Sequence, residues 1–351
     1  MVQIMKLKKV LSLTLAAMLM LSGLALTACS GSSKSNPFPI VCGETGMNDV
    51  AGVATYGVSY YNLGVKAGDM AADILLNGAT PAATPVSLDP NPALVVNNTV
   101  ASEIGFTIPD SVKSNATDGS ADIAVTRVDS AIAADGGDYT VGVLQLMQHV
   151  ALDLTNKGFV DQLSVRMDAA GKTVTILDEN AAGDQANNIT IAETFVNKNV
   201  DLIYAIATSS AQAAASSTTT IPVIFNAVTD PVGAGLVASL EAPGANVTGV
   251  SDINPVAKQI DLIGELLGKE DITVGLLYTS AETNSIYQIE QAKAECDAKG
   301  YKYVEKGIGD MNDIEAAFVS LRNAGVDAVY IPTDNVLANG IANVHAVNIG
   351  K

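Results

Sequence analysis

From Tyr139 onward, short apolar runs alternate with longer stretches in which apolar residues recur every three to four positions. The runs cover 139–145, 173–179, 201–208, 221–228, 245–252, 272–279 and 327–333. Continuous apolar runs of this length, rich in Val and Ile, predict strands buried on both faces. The helical spacing between them predicts helices over 152–163, 187–198, 210–216, 231–240, 255–267, 285–299 and 310–324, with a last one after Thr333-Asp334-Asn335. Strand–helix alternation implies right-handed βαβ units and open parallel sheets. The fold class is therefore α/β, with parallel sheet flanked by helices.

The stretch GDYTVGVLQLMQHVALD, from Gly137, reads as the opening of a domain, yet it stands more than a hundred residues into the chain. The elements in front of it are of another kind. Residues 38–47 predict a strand and turn. Residues 53–78 predict a strand-like piece and an amphipathic helix ending at Asn77-Gly78. Residues 84–110 predict extended segments punctuated by prolines. The stretch 111–138, rich in Ser, Asp, Ala and Gly and without periodicity, reads as a linker.

The first residues change the picture of where the protein works. Lys6, Lys8 and Lys9 precede an apolar run from Val10 to Leu26, and Leu26-Thr27-Ala28-Cys29 follows. This is the layout of a signal peptide over 1–28, with an apolar run short for a membrane span. Cys29 at the cleavage point resembles a bacterial lipobox, which implies diacylation of its thiol, and 29–35 then forms a tether. A signal-anchor helix is the alternative; it is disfavoured because the apolar run stops at Cys29 and Ser and Gly follow. The expectation is an extracytoplasmic protein, lipid-anchored to the bacterial cell membrane.

Removing 1–28 takes the formal net charge from −18 to −21. Such an acidic chain repels phosphate backbones, which argues against a nucleic-acid partner. Only Cys42, Cys296, His149 and His345 remain as soft ligands beyond Cys29, with no CxxC or HExxH spacing, so neither a metal site nor a cofactor is expected. The two remaining cysteines lie in apolar contexts that favour buried, inert thiols, though a disulfide between them stays open. About 320 mature residues exceed what one core serves, which calls for two lobes.

Taken in the order 138–351 and then 35–110, the chain resembles ABC-transporter substrate-binding lipoproteins of the tryptophan/tyrosine type. Those proteins have the type I periplasmic-binding-protein fold, which implies two Rossmann-like lobes of parallel sheet flanked by helices. The residues that carry the resemblance are VGVLQLMQHVALD, DLIYAIATSSAQAAA, IPVIFNAVTDPVGAGLV, NVTGVSDINPVAKQIDLI, VGLLYTSAETNS and VYIPTDN, with CGETGM, ATYGVSYYNLG and ALVVNN from the front block. In the family the front block comes last. The resemblance therefore implies a circular permutation in which 36–110 completes both lobes, 111–138 joins the old ends, 139–250 forms the first lobe and 251–351 the second. The 28-residue join can span about 90 Å when extended, so it is sterically easy. Lys-Ser-Asn at 34–36 and again at 113–115 either marks the rearrangement or is chance.

A ligand in such a fold sits between the lobes at the carboxyl ends of the strands. Thr208 and Ser209, opening an Ala-rich helix, are candidates for a ligand carboxylate, with plain N-capping as the other reading. Asp334, with Asn335 beside it, and Glu44, with Thr45 beside it, are candidates for a ligand ammonium, against roles as a cap and a turn. Gln145, Asp230, Asn284 and Ser285 are further candidates; His149 reads as structural, and Asp230 ahead of Pro231 as a cap. Tyr56, Tyr60, Tyr61 and Tyr287 are candidates to wall an aromatic side chain. The resemblance implies capture of an amino acid, Trp, Tyr or Phe, by a monomer that delivers it to an ABC permease. A lipoprotein that senses the same ligand for a membrane receptor is the alternative. No Ser–His–Asp spacing or metal cluster supports an enzyme.

Overall fold

The computed structural model describes residues 37–351 apart from Pro90 and 118–120. The signal peptide, the tether and Cys29 lie outside the described residues. Two six-stranded sheets organise the chain, and helices cover both. The first sheet is built from the middle of the sequence, in the order β4 (Ile132–Ala133), β6 (Val174–Asn180), β5 (Tyr139–Gln145), β7 (Leu202–Ile206), β8 (Val223–Asn226), β9 (Val247–Val250). All its pairings are parallel, as the uninterrupted apolar runs require.

The second sheet draws its strands from both ends of the sequence. Its order is β11 (Lys302–Ile308), β10 (Thr273–Thr279), β12 (Ala328–Ile331), β1 (Ile40–Cys42), β2 (Ala54–Gly57), β3 (Ala93–Val96). β1 lies parallel to β12, with Ile40 opposite Val329 and Cys42 opposite Ile331, and every residue of both strands is buried. Only β3 runs antiparallel, against β2. The last helix, α12 (Ile341–Ile349), is tied to the same place. Buried Asn348 accepts from the Phe38 amide through Oδ1 and donates Nδ2 to the Phe38 carbonyl, both at 2.9 Å.

The front block also completes the first lobe. Helix α2 (Tyr60–Asn77) leaves β2 and crosses to the first sheet, where it lies against α5 (Val150–Ala169). Leu63, Ala67, Ala71 and Ile74 form its buried stripe at helical spacing. The two backbones touch: a Cβ on Gly64 would meet the Thr155 carbonyl oxygen at 2.2 Å, and one on Gly158 the Tyr61 carbonyl oxygen at 2.2 Å. Arg166 bridges Asp69 and Asp73 across the same contact at 2.6 and 2.7 Å. Phe159 stacks on Tyr204 beneath it, ring centroids 3.7 Å apart.

Among the described residues the chain passes between the lobes at 57–60 and 250–256, and again before and after β3. The linker read from the sequence, 111–138, is in part tied to the fold. Asn62 donates to the Ala121 carbonyl and accepts from the Ile123 amide, at 3.0 and 2.7 Å, while Ser59 Oγ donates to Asp122 at 2.6 Å. Its ends are built into the fold as α4 (Asp110–Lys113) and β4, which pairs with β6.

Three expectations need correction. Residues 231–240 form turns and not a helix; the Leu236 amide returns to the Pro231 carbonyl at 3.0 Å, and Gly235 stands at φ 74. Residues 98–103, expected to be extended, form helix α3, because Asn97 caps it by accepting from the Val100 amide at 3.0 Å. Strand β11 was absent from the apolar runs, since as an edge strand it carries exposed Lys302 and Glu305 among half-buried residues.

Candidate functional site

The carboxyl ends of the central strands of both sheets face one cleft. Its main cavity is lined by Glu44, Tyr60, His149, Leu152, Ala227, Thr229, Asp252, Asn284, Thr333, Asp334, Asn335 and Ala338. A second cavity beside it, sharing Asn284, is lined by Thr208, Asp230, Gly233, Ala234 and Thr283. Each encloses about 290 Å³ of empty space, part of it open to solvent.

Backbone geometry at the strand ends is built for the cleft. Gly43 follows β1 with its amide on the Ile331 carbonyl at 2.6 Å, and a Cβ there would meet the Thr333 amide nitrogen at 2.2 Å. This close approach brings Glu44 beside Thr333 and Asp334. In the first lobe, Ala207 after β7 stands at φ 81, ψ 159, and Ala227 after β8 at φ 52. Ala207 occupies a region that only glycine visits easily, at a cost of about 1–3 kcal/mol. The conformation turns the chain so that helix α7 (Thr208–Ser217) starts at the cleft with no side-chain cap.

Three acids, Glu44, Asp252 and Asp334, line the main cavity, and among the described residues no lysine or arginine does. Glu44 is 2% exposed and caps α1 (Thr45–Val50), each carboxylate oxygen accepting one amide, from Gly46 and Met47, at 2.5 Å. Burial raises its pKa to about 7, against the lowering effect of those two amides, with Asp49 and Asp252 adding to the rise. Asp252 is buried after β9 and accepts from Tyr60 Oη at 2.8 Å and Thr229 Oγ1 at 3.0 Å. Burial raises its pKa as well. One bond to each oxygen leaves lone pairs available for a ligand.

Asp334 is differently engaged. Its oxygens accept from the Thr279 amide and hydroxyl at 2.6 and 2.8 Å, from Ser285 Oγ at 2.8 Å and from the Leu337 amide at 2.9 Å. Four donors fill the acceptor capacity of a carboxylate, so Asp334 caps α11 (Asn335–Asn339) and holds Ser285 behind the cavity wall. Glu282 accepts from the Asn335 and Val336 amides at 3.0 and 3.1 Å and from the side chains of Asn284 and Asn335. Burial, followed by the charge of Asp334, raises its pKa.

The sequence candidates thus divide. Glu44, Asn284, Asp334 and Asn335 line the main cavity, and Thr208, Asp230 and Asn284 the second. Ser209 adjoins Thr208 at the helix start. Thr45 and Ser285 stand next to lining residues and outside the lining themselves. Gln145 is spent within the first lobe, its amide donating to the Met147 carbonyl at 2.8 Å and to Asp153 at 2.6 Å. Of the four tyrosines, only Tyr60 lines the cavity; Tyr61 bonds Asp161 at 2.9 Å, and the Tyr56 ring lies 5.6 Å from Lys258 Nζ. His149 lines the cavity too. Burial lowers its pKa, and its Nε2 lies 3.2 Å from Asn335 Oδ1 of the other lobe.

Sequence reasoning missed Asp252 and Glu282. Asp252 stood at the end of an apolar run, the same signal that selected Asp334. Glu282 had none, because its role depends on a helix start fifty residues further along.

A sequence profile described as ABC transporter substrate binding protein matches residues 5–119 and 140–350. The chain belongs to the ABC transporter substrate-binding protein family. Its two lobes have the type I periplasmic-binding fold of that non-catalytic family. Among curated relatives, a tyrosine-binding protein of Clostridioides difficile (strain R20291) is 40% identical over 207 residues, 59% of each chain. This substrate-binding protein therefore aligns with less than two thirds of that relative's length. A crystal structure of an ABC domain in complex with L-Trp from Streptococcus pneumoniae is 40% identical, covering 59% of this chain and 70% of that one, with a TM-score of 0.54. A conserved domain protein from Vibrio cholerae is 36% identical, covering 58% and 71%, with the same TM-score.

Proposed function

We propose that the protein captures a free aromatic amino acid between its lobes and delivers it to an ABC permease. The carrying observation is the cleft's polarity. Buried Glu44 and Asp252, with Tyr60 at the start of α2, offer acceptors to an ammonium. The uncapped start of α7, with Thr208 and Ser209, offers donors to a carboxylate. Tyr60, His149, Leu152, Ala227 and Ala338 supply ring and aliphatic surface for a side chain. Asn284 and Asn335 complete the grip from the second lobe. The L-Trp complex and the tyrosine-binding relative support an aromatic ligand. Two charge-assisted anchors at about 1.5–3 kcal/mol each and a buried side chain at about 1.5–3 are compatible with micromolar binding, about −8 kcal/mol, after ordering costs.

Closure follows from contacts that exist only when the lobes meet, among them that of His149 Nε2 with Asn335 Oδ1, 3.2 Å apart. Diacylation at Cys29 would hold the monomer at the outer face of the membrane.

The same reading includes the circular permutation. The pairing of β1 with β12 and of Phe38 with Asn348 supports it, and so does a family match in two segments separated by 120–139. The division is then 36–110 for both lobes, 111–138 as the join, 139–250 for the first lobe and 251–351 for the second. The functional test is a thermal-shift and calorimetric screen of the twenty amino acids with sugars and purines as controls. The expected result is stabilisation by Trp, Tyr or Phe; response to sugars or purines and to no amino acid overturns the proposal.

A further inference from the structure

The linker residues 121–124 lie against the start of α2, and apolar packing does not hold them there: all four are exposed, Ile123 at 51%. Polar contacts hold them, in a ring around Asp122. Asn62 donates Nδ2 to the Ala121 carbonyl at 3.0 Å and accepts the Ile123 amide through Oδ1 at 2.7 Å. It thus pairs with the backbone on both sides of Asp122, as a neighbouring strand would. Ser59 Oγ donates to Asp122 Oδ1 at 2.6 Å and accepts the Asn62 amide at 3.1 Å, so the side chain that caps α2 is the one Asp122 orients. Further along, the Val128 amide donates to Ser164 Oγ of α5 at 2.9 Å, and on the other side the Thr117 amide donates to the Leu94 carbonyl of β3 at 2.8 Å. A segment that only joined two ends would need none of these bonds.

The helical turn held in this way carries a residue of the cleft. Tyr60, next to Ser59, is 2% exposed, lines the main cavity and donates Oη to Asp252 Oδ2 at 2.8 Å. Asp252 belongs to the other crossing between the lobes, 250–256, and Thr229 holds its second oxygen. The first turn of a helix has the fewest backbone bonds and frays most readily. In α2 the cap from Ser59 and the grip of Asn62 both end on the linker, so the linker decides how firmly Tyr60 is placed.

We propose that Ala121, Asp122 and Ile123 are positioning residues for the ligand site: they clasp the first turn of α2 and so fix Tyr60 Oη on Asp252. This rests on the amino-acid reading above, in which that pair receives the ligand ammonium, and extends the site to a segment that touches no ligand. With the clasp in place the pair is set before the ligand arrives. Without it, ordering the turn falls on the binding step and weakens it.

The test uses Ile123→Pro, which removes the amide that Asn62 accepts, in a stretch outside any helix or strand. Ile123→Ala keeps the amide and removes only an exposed side chain. The chain contains no tryptophan, so the emission of L-Trp, excited selectively, follows binding without background from the protein. Hydrogen exchange of the ligand-free full chain reports on 60–63. Ile123→Pro should weaken L-Trp by about fivefold to tenfold and speed exchange at 60–63, and Ile123→Ala should do neither. In the Tyr60→Phe background, which lacks the bond to Asp252, Ile123→Pro should change affinity by no more than about twofold. Asp122→Ala should follow Ile123→Pro, and Asp122→Asn, which keeps an oxygen for Ser59, should bind as the wild type does. Equal weakening with and without Tyr60 Oη would make the clasp a general support of the lobe and overturn the proposal, as would unchanged exchange at 60–63; the amino-acid reading survives either result. If the wild type binds no aromatic amino acid, that reading fails, and the exchange comparison still decides whether the clasp holds the turn.

Discussion

Glu44 makes the ligand-free protein sensitive to pH in a direction that can be worked out from its surroundings. Burial raises its pKa from 4.5 to about 7. In the unfolded chain the carboxyl loses its proton near 4.5, whereas in the folded protein it keeps it to about 7. Between these values folding takes up a proton, so stability falls as pH rises from about 4.5 to 7 and is level above. The size follows from 1.36 kcal/mol per unit, about 3 kcal/mol for Glu44 alone. Buried His149, whose pKa is lowered, acts in the opposite direction, so total stability is a poor readout. The difference between wild type and Glu44→Gln isolates the effect. Glutamine cannot accept from both Gly46 and Met47, which gives a roughly constant offset of about 1 kcal/mol; the carboxyl titration gives the slope. Urea unfolding from pH 4.5 to 8 should show wild type losing about 3 kcal/mol relative to the variant as pH rises. A difference that is flat, or that grows in favour of wild type, refutes the burial argument. The linkage extends to binding: an ammonium beside Glu44 favours its ionised form, so affinity for an amino acid should rise with pH towards about 7.

Three substitutions test the frame. Gly158→Ala drives a methyl against the Tyr61 carbonyl at the α2–α5 contact and should cost about 3 kcal/mol in urea unfolding. Asn348→Ala leaves the Phe38 amide and carbonyl unpaired where the two ends of the second sheet meet, for a loss of about 2 kcal/mol. Ala207→Gly relieves the backbone after β7 and should stabilise by about 1 kcal/mol, net of the entropy glycine loses; calorimetric melting is the measurement, and a lowered midpoint would show that the alanine is not strained.

The central strands were legible because each is buried on both faces, so composition and position coincide; 139–145 was read to the residue. β11 was not, because an edge strand keeps one side in water and its sequence is mixed. Residues 231–240 misled because Asp-Pro is a strong helix start, while Gly235 at φ 74 turns the chain before a helix can form. At the cleft, the rule that ligands lie at strand ends found Glu44, Thr208 and Asn284. It could not distinguish an acid with spare lone pairs from one already filled: Asp334 and Asp252 look alike in sequence, and only their hydrogen bonds separate them. The strain at Ala207 has no sequence signal, since alanine is ordinary at a strand end.

The placement of β1 has a consequence for how the polypeptide acquires its shape. Ile40–Cys42 emerge from the ribosome early, yet the edge they need at Val329–Ile331 is made nearly three hundred residues later. For most of synthesis an apolar segment stands without its neighbour. Such long-range closure slows folding and lengthens exposure to aggregation. A chain wired in this way gains by staying unfolded until its last helix is complete, which makes holdase chaperones and passage across a membrane as an extended thread suitable company for it.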